Sequence, residues 1–336
     1  MQVTLIAIDL AKSIFQVCGV NQSGKAIFNR SVRRNRLLAM LAQYPDATIA
    51  MEACSGSNYW GRTLKKLGHQ VLLIPPQHVK PFVKGNKNDR NDAFAISEAA
   101  RRPGLVTVAP RSIEDTESLS IHRVRERLVD QRTALTNQIR GLLSEFGIIA
   151  GPGRRTLISV VRHEIESGDN EFSVEIRDLF EELLQELQEI EARLQGVDRK
   201  IQRLAKSDDA QRLMTIKGIA EKGATALSAH MGSPNNYRNG RHFSASLGLV
   251  PKEHSSGGKQ ALGSITKRGN RYIRYLLVQG AWSVLRYANR SDDRLSQWAL
   301  KLAERRGKHK AVIAIANKLA RIAWSVLHHQ TVYKPV

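Results

Sequence analysis

The chain has 336 residues, with 52 lysines and arginines against 31 acids and a formal net charge of +21. Hydrophobic residues make up 42% and aromatics 6%, enough for two or three ordinary cores, so a disordered or fibrous chain is excluded. A field this positive attracts polyanions, nucleic acid first among them. The two cysteines, Cys18 and Cys54, show no paired Cys or His spacing, which excludes a zinc module and a disulfide scaffold.

In chain order, Val3–Ile8 is near-continuously apolar and ends on Asp9. Ile14–Val20 alternates, and the Asn21-Gln-Ser-Gly24 turn leads to a third strand over Lys25–Ser31. Helical spacing predicts a helix over Arg33–Tyr44, then a strand over Ala47–Met51 that closes on Glu52. A helix Tyr59–Leu67 is closed by Gly68, a strand Gln70–Ile74 is stopped by Pro75-Pro76, and a helix Asp92–Arg102 is stopped by Pro103. Three strands followed by alternating helix and strand is an α/β pattern, and this order fits the ribonuclease-H-like fold.

From Ile113 to Phe146 the pattern becomes one long helix, with Ile121, Val124, Leu128, Leu135, Ile139, Leu142 and Phe146 on a stripe, broken at Gly147–Gly153. A second helix runs from about Ser173 to Ala205. Its apolar residues Phe180, Leu183, Leu187, Ile190, Leu194, Val197, Ile201 and Leu204 alternate steps of three and four. That is a heptad seam, and it predicts coiled-coil packing. The partner is either the first helix, in a hairpin, or another protomer. From Asp208 the chain reads as basic and helical. Arg212–Met231 is helix, glycine-containing hairpin, helix, and Pro251-Lys-Glu-His-Ser-Ser-Gly-Gly258 is a polar loop. Helices follow over Arg271–Tyr287 and about Lys308–Leu327. Trp60, Trp282, Trp298 and Trp324 fall in helical patterns and read as core.

The segment Asp208–Val336 holds 22 lysines and arginines against 7 acids, whereas Glu171–Lys206 holds 6 against 9. A local basic excess argues for a docking surface. The chain is expected to divide into 1–110, 111–206 and 207–336. No basic n-region precedes the first apolar run, and no stretch approaches the ~20 apolar residues of a membrane span. The expected location is the cytoplasm, at the nucleoid, with no membrane partner.

Asp9 and Glu52 end two strands, and Asp89 and Asp92, three apart, share a face at a helix start. Open α/β sheets bind ligands at the carboxyl ends of their strands. Oxygen-only ligands suit Mg²⁺ or Mn²⁺, and such ions clamp the attacking and leaving oxygens of a phosphodiester. These four carboxylates are therefore read as a metal site for nucleic-acid chemistry, although Asp89 equally suits a helix N-cap. At the other end of the chain Lys267, Arg268, Arg271 and Arg274 open a helix and read as phosphate ligands. Lys217-Gly-Ile-Ala220 resembles the hairpin of helix-hairpin-helix motifs, with alanine where the second glycine is usual.

The motifs Ile8-Asp9-Leu-Ala-Lys12, Met51-Glu52-Ala53 and Lys87-Asn-Asp89-Arg-Asn-Asp92-Ala93 occur with Gly248-Leu-Val-Pro251, Ser256-Gly257, Ile265-Thr-Lys-Arg-Gly-Asn270 and Arg274. Together they resemble the DEDD transposases of the bridge-RNA-guided insertion-sequence group, the insertion-sequence one-ten family, over essentially the whole chain. The resemblance implies a RuvC-like domain carrying Asp9, Glu52, Asp89 and Asp92, a helical coiled-coil segment, and a C-terminal transposase domain whose serine attacks DNA. The matching serine is Ser256, with Ser255 as the neighbouring alternative. On residue type alone, Ser255-Ser256-Gly257-Gly258 is a flexible polar turn. A serine hydroxyl needs a base or a metal to become a good nucleophile, so the resemblance implies one composite active site from two distant segments. It also implies donor and target DNA, a guide RNA and a homodimer or homotetramer as partners. The rival readings are a RuvC-type junction nuclease that uses water and a non-catalytic nucleic-acid-binding assembly protein.

Overall fold

Residues 2–86 and 88–335 are described by the structure, a computed structural model. Lys87 of the Lys87–Ala93 motif lies outside the described residues. The chain divides into two units, Met1–Ile113 and Glu114–Val336.

In the first unit, strands β1 (Leu5–Asp9), β2 (Ile14–Val20) and β3 (Ala26–Arg33) form an antiparallel meander. Helix α1 (Leu37–Leu41) leads to β4 (Thr48–Glu52), α2 (Ser57–Lys66) to β5 (Val71–Ile74), and α3 (Pro76–Val79) to α4 (Asp89–Ala100). The sheet order is β3-β2-β1-β4-β5, with β4 and β5 parallel to β1. This mixed α/β topology agrees with the ribonuclease-H-like reading.

β1 is apolar at nearly every position because both its faces are covered. Ile6, Ile8, Phe15, Val17, Ile49 and Met51 pack against Leu37 and Leu41 of the α1 side and Trp60 and Leu64 of α2. Leu5, Ala7, Cys18 and Ala50 point the other way, against Ala93, Ile96 and Ala99 of α4. The alanines on both sides allow α4 to lie close to the sheet. Two boundaries differ from the sequence expectation. The helix expected over Arg33–Tyr44 shrinks to Leu37–Leu41, because β3 continues to Arg33, which pairs with Ile14. Helix α4 begins three residues early, at Asp89, because the Asn88 side chain accepts from the Asn91 N–H and caps it.

The second unit opens with α5 (Ile113–Glu145), α6 (Arg154–Glu166) and α7 (Val174–Leu204). The heptad seam is satisfied inside the chain. Phe180, Leu184, Leu187, Ile190 and Leu194 of α7 bury against Leu128, Leu135, Ile139 and Leu143 of α5 and Leu157 and Val161 of α6. Within the chain this is the arrangement of the hairpin alternative, with Leu184 taking the buried place expected for Leu183. Helix α6 was not legible, since only Leu157 and Val161 are fully buried along its length. Arg125 of α5 and Asp198 of α7 lock the pair with a 2.6 Å ion pair.

After α8 (Asp208–Met214), α9 (Glu221–Met231) and α10 (Gly240–Ser246) comes a two-stranded ribbon, β6 (Pro251–Glu253) and β7 (Leu262–Ile265). Helices α11 (Arg271–Tyr287), α12 (Arg294–Arg306) and α13 (Lys308–His328) complete the unit. Contrary to the expectation from sequence, Lys308–His328 is long and apolar enough to cross a membrane by length and composition. Half of its most apolar window is buried inside the unit, where Val312, Ile315, Leu319 and Leu327 join the same core as Phe243, Leu277 and Leu295.

Candidate functional site

β1 and β4 run parallel with Ile8 beside Met51, so the next residues, Asp9 and Glu52, end adjacent strands together. Side-chain alternation puts both on the face of Ala7 and Ala50, the face that α4 covers. Both are half-buried. The nearby Cys54 thiol is pushed up by burial and then by the negative charges of Glu52 and Asp9, so both carboxylates bear on one locality. Helix α4 presents Asp89, exposed, and Asp92, half-buried, in its first turn. Asp89 lines a polar cleft of about 580 Å³ with Gln16, Asn29 and Ser31. Gln16 lies opposite Asp9 on β2, donates to Asn29 Oδ1 at 2.6 Å and accepts from Ser31 Oγ at 2.9 Å.

The four expected ligands thus belong to one side of the sheet but do not close into one set. Among the described residues no three His, Cys, Asp or Glu side chains converge so as to hold a metal ion. Mg²⁺ keeps several waters and is commonly held by one or two carboxylates together with substrate phosphates. The hard oxygen pair Asp9 and Glu52 fits such an ion, with Asp89 and Asp92 on the helix beside it.

The segment expected as a polar loop is instead a formed hairpin. Its tip is closed by the Lys259 N–H donating to the Ser256 carbonyl at 3.0 Å. The two residues between, Gly257 (φ 55°) and Gly258 (φ 75°), both have positive φ. That is the backbone of a type I′ turn, which matches the strand twist and favours glycine at both positions. Ser255 is built into the ribbon: its hydroxyl donates to Glu253 Oε1 at 2.6 Å and accepts from the Ala261 N–H at 3.2 Å. Ser256 is exposed at the tip, and no hydrogen bond among the described residues engages its hydroxyl.

The ribbon is rooted where two of the sequence motifs meet backbone to backbone. The Lys267 N–H donates to the Gly248 carbonyl at 3.2 Å and the Thr266 N–H to the Val250 carbonyl at 2.8 Å. A Cβ on Gly248 would lie 2.2 Å from the Arg268 carbonyl, and one on Gly269 1.9 Å from the Ser246 carbonyl. Only glycine permits that approach at either position. Lys267 itself has φ 55°, a left-handed conformation that costs a side-chain-bearing residue about 1–2 kcal/mol.

The four basic residues expected to hold phosphate separate into two kinds. Lys267, Arg268 and Arg271 are exposed. Arg274 is half-buried and donates to the carbonyls of Leu247 at 2.8 Å and Arg268 at 3.2 Å, so it braces the joint. Asn270 caps α11 by accepting from the N–H groups of Tyr272 and Ile273. The Lys217 ammonium donates to Asp293 and Ser291, which ties this hairpin to the start of α12. Burial raises the Asp293 carboxyl, but its bonds to Lys217, Ser296 and Ser291 outweigh that and hold it well below the usual range.

One residue was absent from the sequence reading. His122 of α5 is buried, with Nδ1 3.0 Å from the Tyr272 hydroxyl of α11 and Nε2 3.0 Å from Thr225 Oγ1 of α9. Thr225 donates to the Glu221 carbonyl, so it accepts from Nε2–H, and Tyr272 donates to Nδ1. Both ring nitrogens of the neutral imidazole are thereby used. Burial and the nearby Arg125 push its pKa down from 6.5 to about 4. This network ties the long helix to the start of α11. A lone histidine on an apolar stripe gave no signal for it.

Residues 6–148 match a family profile described as a transposase, the DEDD domain of the IS110 type. Residues 210–296 match the profile described as the IS116/IS110/IS902 transposase family. The chain is 43% identical to a probable family 20 transposase of Pseudomonas aeruginosa, over the full length of both. It is 38% identical to the transposase for insertion sequence element IS1111A of Coxiella burnetii, over 99% of this chain and 92% of that one. It is also 39% identical to the transposase for insertion sequence element IS1328 of Yersinia enterocolitica, over 98% of each. The DEDD profile spans the stretch that holds Asp9, Glu52, Asp89 and Asp92, and the second profile spans Ser256 and the basic start of α11. The chain belongs to the IS116/IS110/IS902 family of insertion-sequence transposases.

Proposed function

We propose that this transposase cuts and rejoins DNA through the hydroxyl of Ser256, assisted by a divalent cation, with a guide RNA choosing the sites. The observation that carries the serine assignment is the contrast at the hairpin tip. Ser255 has its hydroxyl committed to Glu253 and Ala261, while Ser256 presents an exposed hydroxyl on a tip formed by the Gly257-Gly258 turn. Attack of Ser256 Oγ on phosphorus forms a phosphoserine ester and releases the strand's leaving oxygen as a hydroxyl. Reverse attack by a strand hydroxyl rejoins DNA and frees the serine, so the phosphodiester energy is retained. Asp9 and Glu52, with Asp89 and Asp92, would hold the cation, Mg²⁺ or Mn²⁺, which supplies charge neutralisation and nucleophile activation. Lys267, Arg268 and Arg271 hold the neighbouring phosphates at the positive end of α11, where unpaired cations are otherwise disfavoured.

The test is adduct formation on denaturing gels with DNA carrying the element's ends. The unmutated protein forms a covalent protein–DNA species, EDTA prevents it, and Ser256→Ala lacks it while Ser255→Ala keeps it. An adduct that survives Ser256→Ala and vanishes with Ser255→Ala moves the nucleophile by one residue. Cleavage without any adduct would favour the water-using junction nuclease. Sequencing the RNA that copurifies tests the guide, and sedimentation tests the dimer or tetramer.

A further inference from the structure

A cleft of about 1020 Å³ runs between α10, the root of the ribbon, α12 and α13, and none of the metal, nucleophile or phosphate residues assigned above lines it. We propose that this cleft binds an unpaired stretch of the DNA strand that Ser256 attacks, an assignment that rests on the serine reading above. Its walls carry Arg241, Lys310, Lys318 and Arg321, and no Asp or Glu lines it. Lys310 falls in the first turn of α13, a turn without an acidic residue. There the helix macrodipole disfavours a cation, and a bound anion relieves the conflict.

The same cleft is lined by Trp298 and Trp324, both half-buried. The Lys318 ammonium stands 4.3 Å from the centre of the Trp298 ring. Trp324 is held by its Nε1–H donating to the Pro234 carbonyl at 3.0 Å. Cations beside indoles are the complement of a nucleotide, with an anionic phosphate and an apolar base face. A paired duplex hides its base faces inside the stack and would use the cations alone. An unpaired strand uses both. The occupant is taken as DNA because the cleft is continuous with the ribbon. Pro251 and Ile265 line it, and this pair closes the root of the hairpin whose tip is Ser256. Ser256 lies five residues beyond Pro251, about 17 Å along an extended ribbon.

The experiment measures anisotropy of labelled 12-nucleotide oligo(dT), oligo(U) and a blunt duplex of the same length. It uses the full chain in EDTA, so that no strand is cut. Ala314→Phe fills the cleft from α13 without changing charge, since Ala314 lines it. It should weaken oligo(dT) binding about tenfold, as expected for losing one or two stacked bases, and change duplex binding less than twofold. Lys310→Gln/Arg321→Gln, both at exposed positions, should lower the salt slope for oligo(dT) by about 1.4. If Ala314→Phe leaves oligo(dT) binding unchanged, or weakens strand and duplex in parallel, the cleft assignment is overturned. A larger loss for oligo(U) than for oligo(dT) overturns the choice of DNA. If the unmutated protein binds none of the three, the nucleic-acid reading of Ser256 fails with it. If it binds them and only the variants disagree, the cleft alone is wrong.

Discussion

Asp9 and Glu52 end strands buried on both faces, whereas Ser256 sits on a ribbon in which every residue from 251 to 264 is exposed. The carboxylates inherit their positions from strand pairing and from helices packed on both sides. The serine inherits its position from a two-glycine turn and a backbone joint at Gly248 and Gly269. Under the proposed function the carboxylates would act as a ligand pair, which has to be held at fixed separation, and a sheet core does that. The serine would act as a nucleophile on a bulky polyanion, and a ribbon with few buried contacts opens at low cost. Damage to the two regions should therefore read out differently.

The largest effect is expected at the strand ends. Asp9→Asn and Glu52→Gln keep size and remove charge, so strand cleavage should fall about a thousandfold or more. The thermal midpoint should stay within about 2 °C, because both side chains lie at the edge of the core. Cleavage within tenfold of the unmutated protein would dismiss these two residues as ligands. Next comes the helical pair of the second unit. Leu187→Asp buries a charge between α5 and α7 and should cost about 3–5 kcal/mol in denaturant unfolding. An unchanged stability with a smaller particle in sedimentation would instead place the seam between protomers.

His122 sharpens the contrast by pH. Its folded pKa, near 4, lies below the unfolded 6.5, so the unfolded chain binds the extra proton first. The stability it carries is complete above about pH 6.5 and is lost as pH falls toward 4, to the extent of about 3 kcal/mol. Unfolding measured at pH 7 and pH 4 should show this loss, and His122→Asn should flatten it. An equal loss in that variant would assign the pH dependence elsewhere. The smallest effect is at the ribbon tip. Gly258→Ala forces alanine to positive φ, at about 1 kcal/mol confined to the turn. Adduct formation should drop several-fold with the global midpoint unmoved. A shift in the midpoint would show that the ribbon is part of the core after all.

Local periodicity made much of the chain legible without coordinates. Strand β1, the strand ends at Asp9 and Glu52, the long helices α5 and α7, and α11 follow from apolar spacing, because burial on one or two faces writes itself along a single element. The family resemblance rests on motifs at both ends, and the two family profiles that match the chain bear it out. Tertiary structure decided what spacing leaves open. A heptad seam specifies an apolar partner but not whose, and α5 and α6 supply it here. Arginines 271 and 274 look alike in sequence, yet Arg274 is drawn onto the carbonyls of Leu247 and Arg268, in the two segments that Gly248 and Gly269 let pack backbone to backbone. Polar residues 251–265 carry no burial signal, so their ribbon depends on cross-strand hydrogen bonds and a glycine turn. The cleft brings Arg241, Trp298 and Arg321 together from three helices, and no pattern within any one of them encodes that meeting.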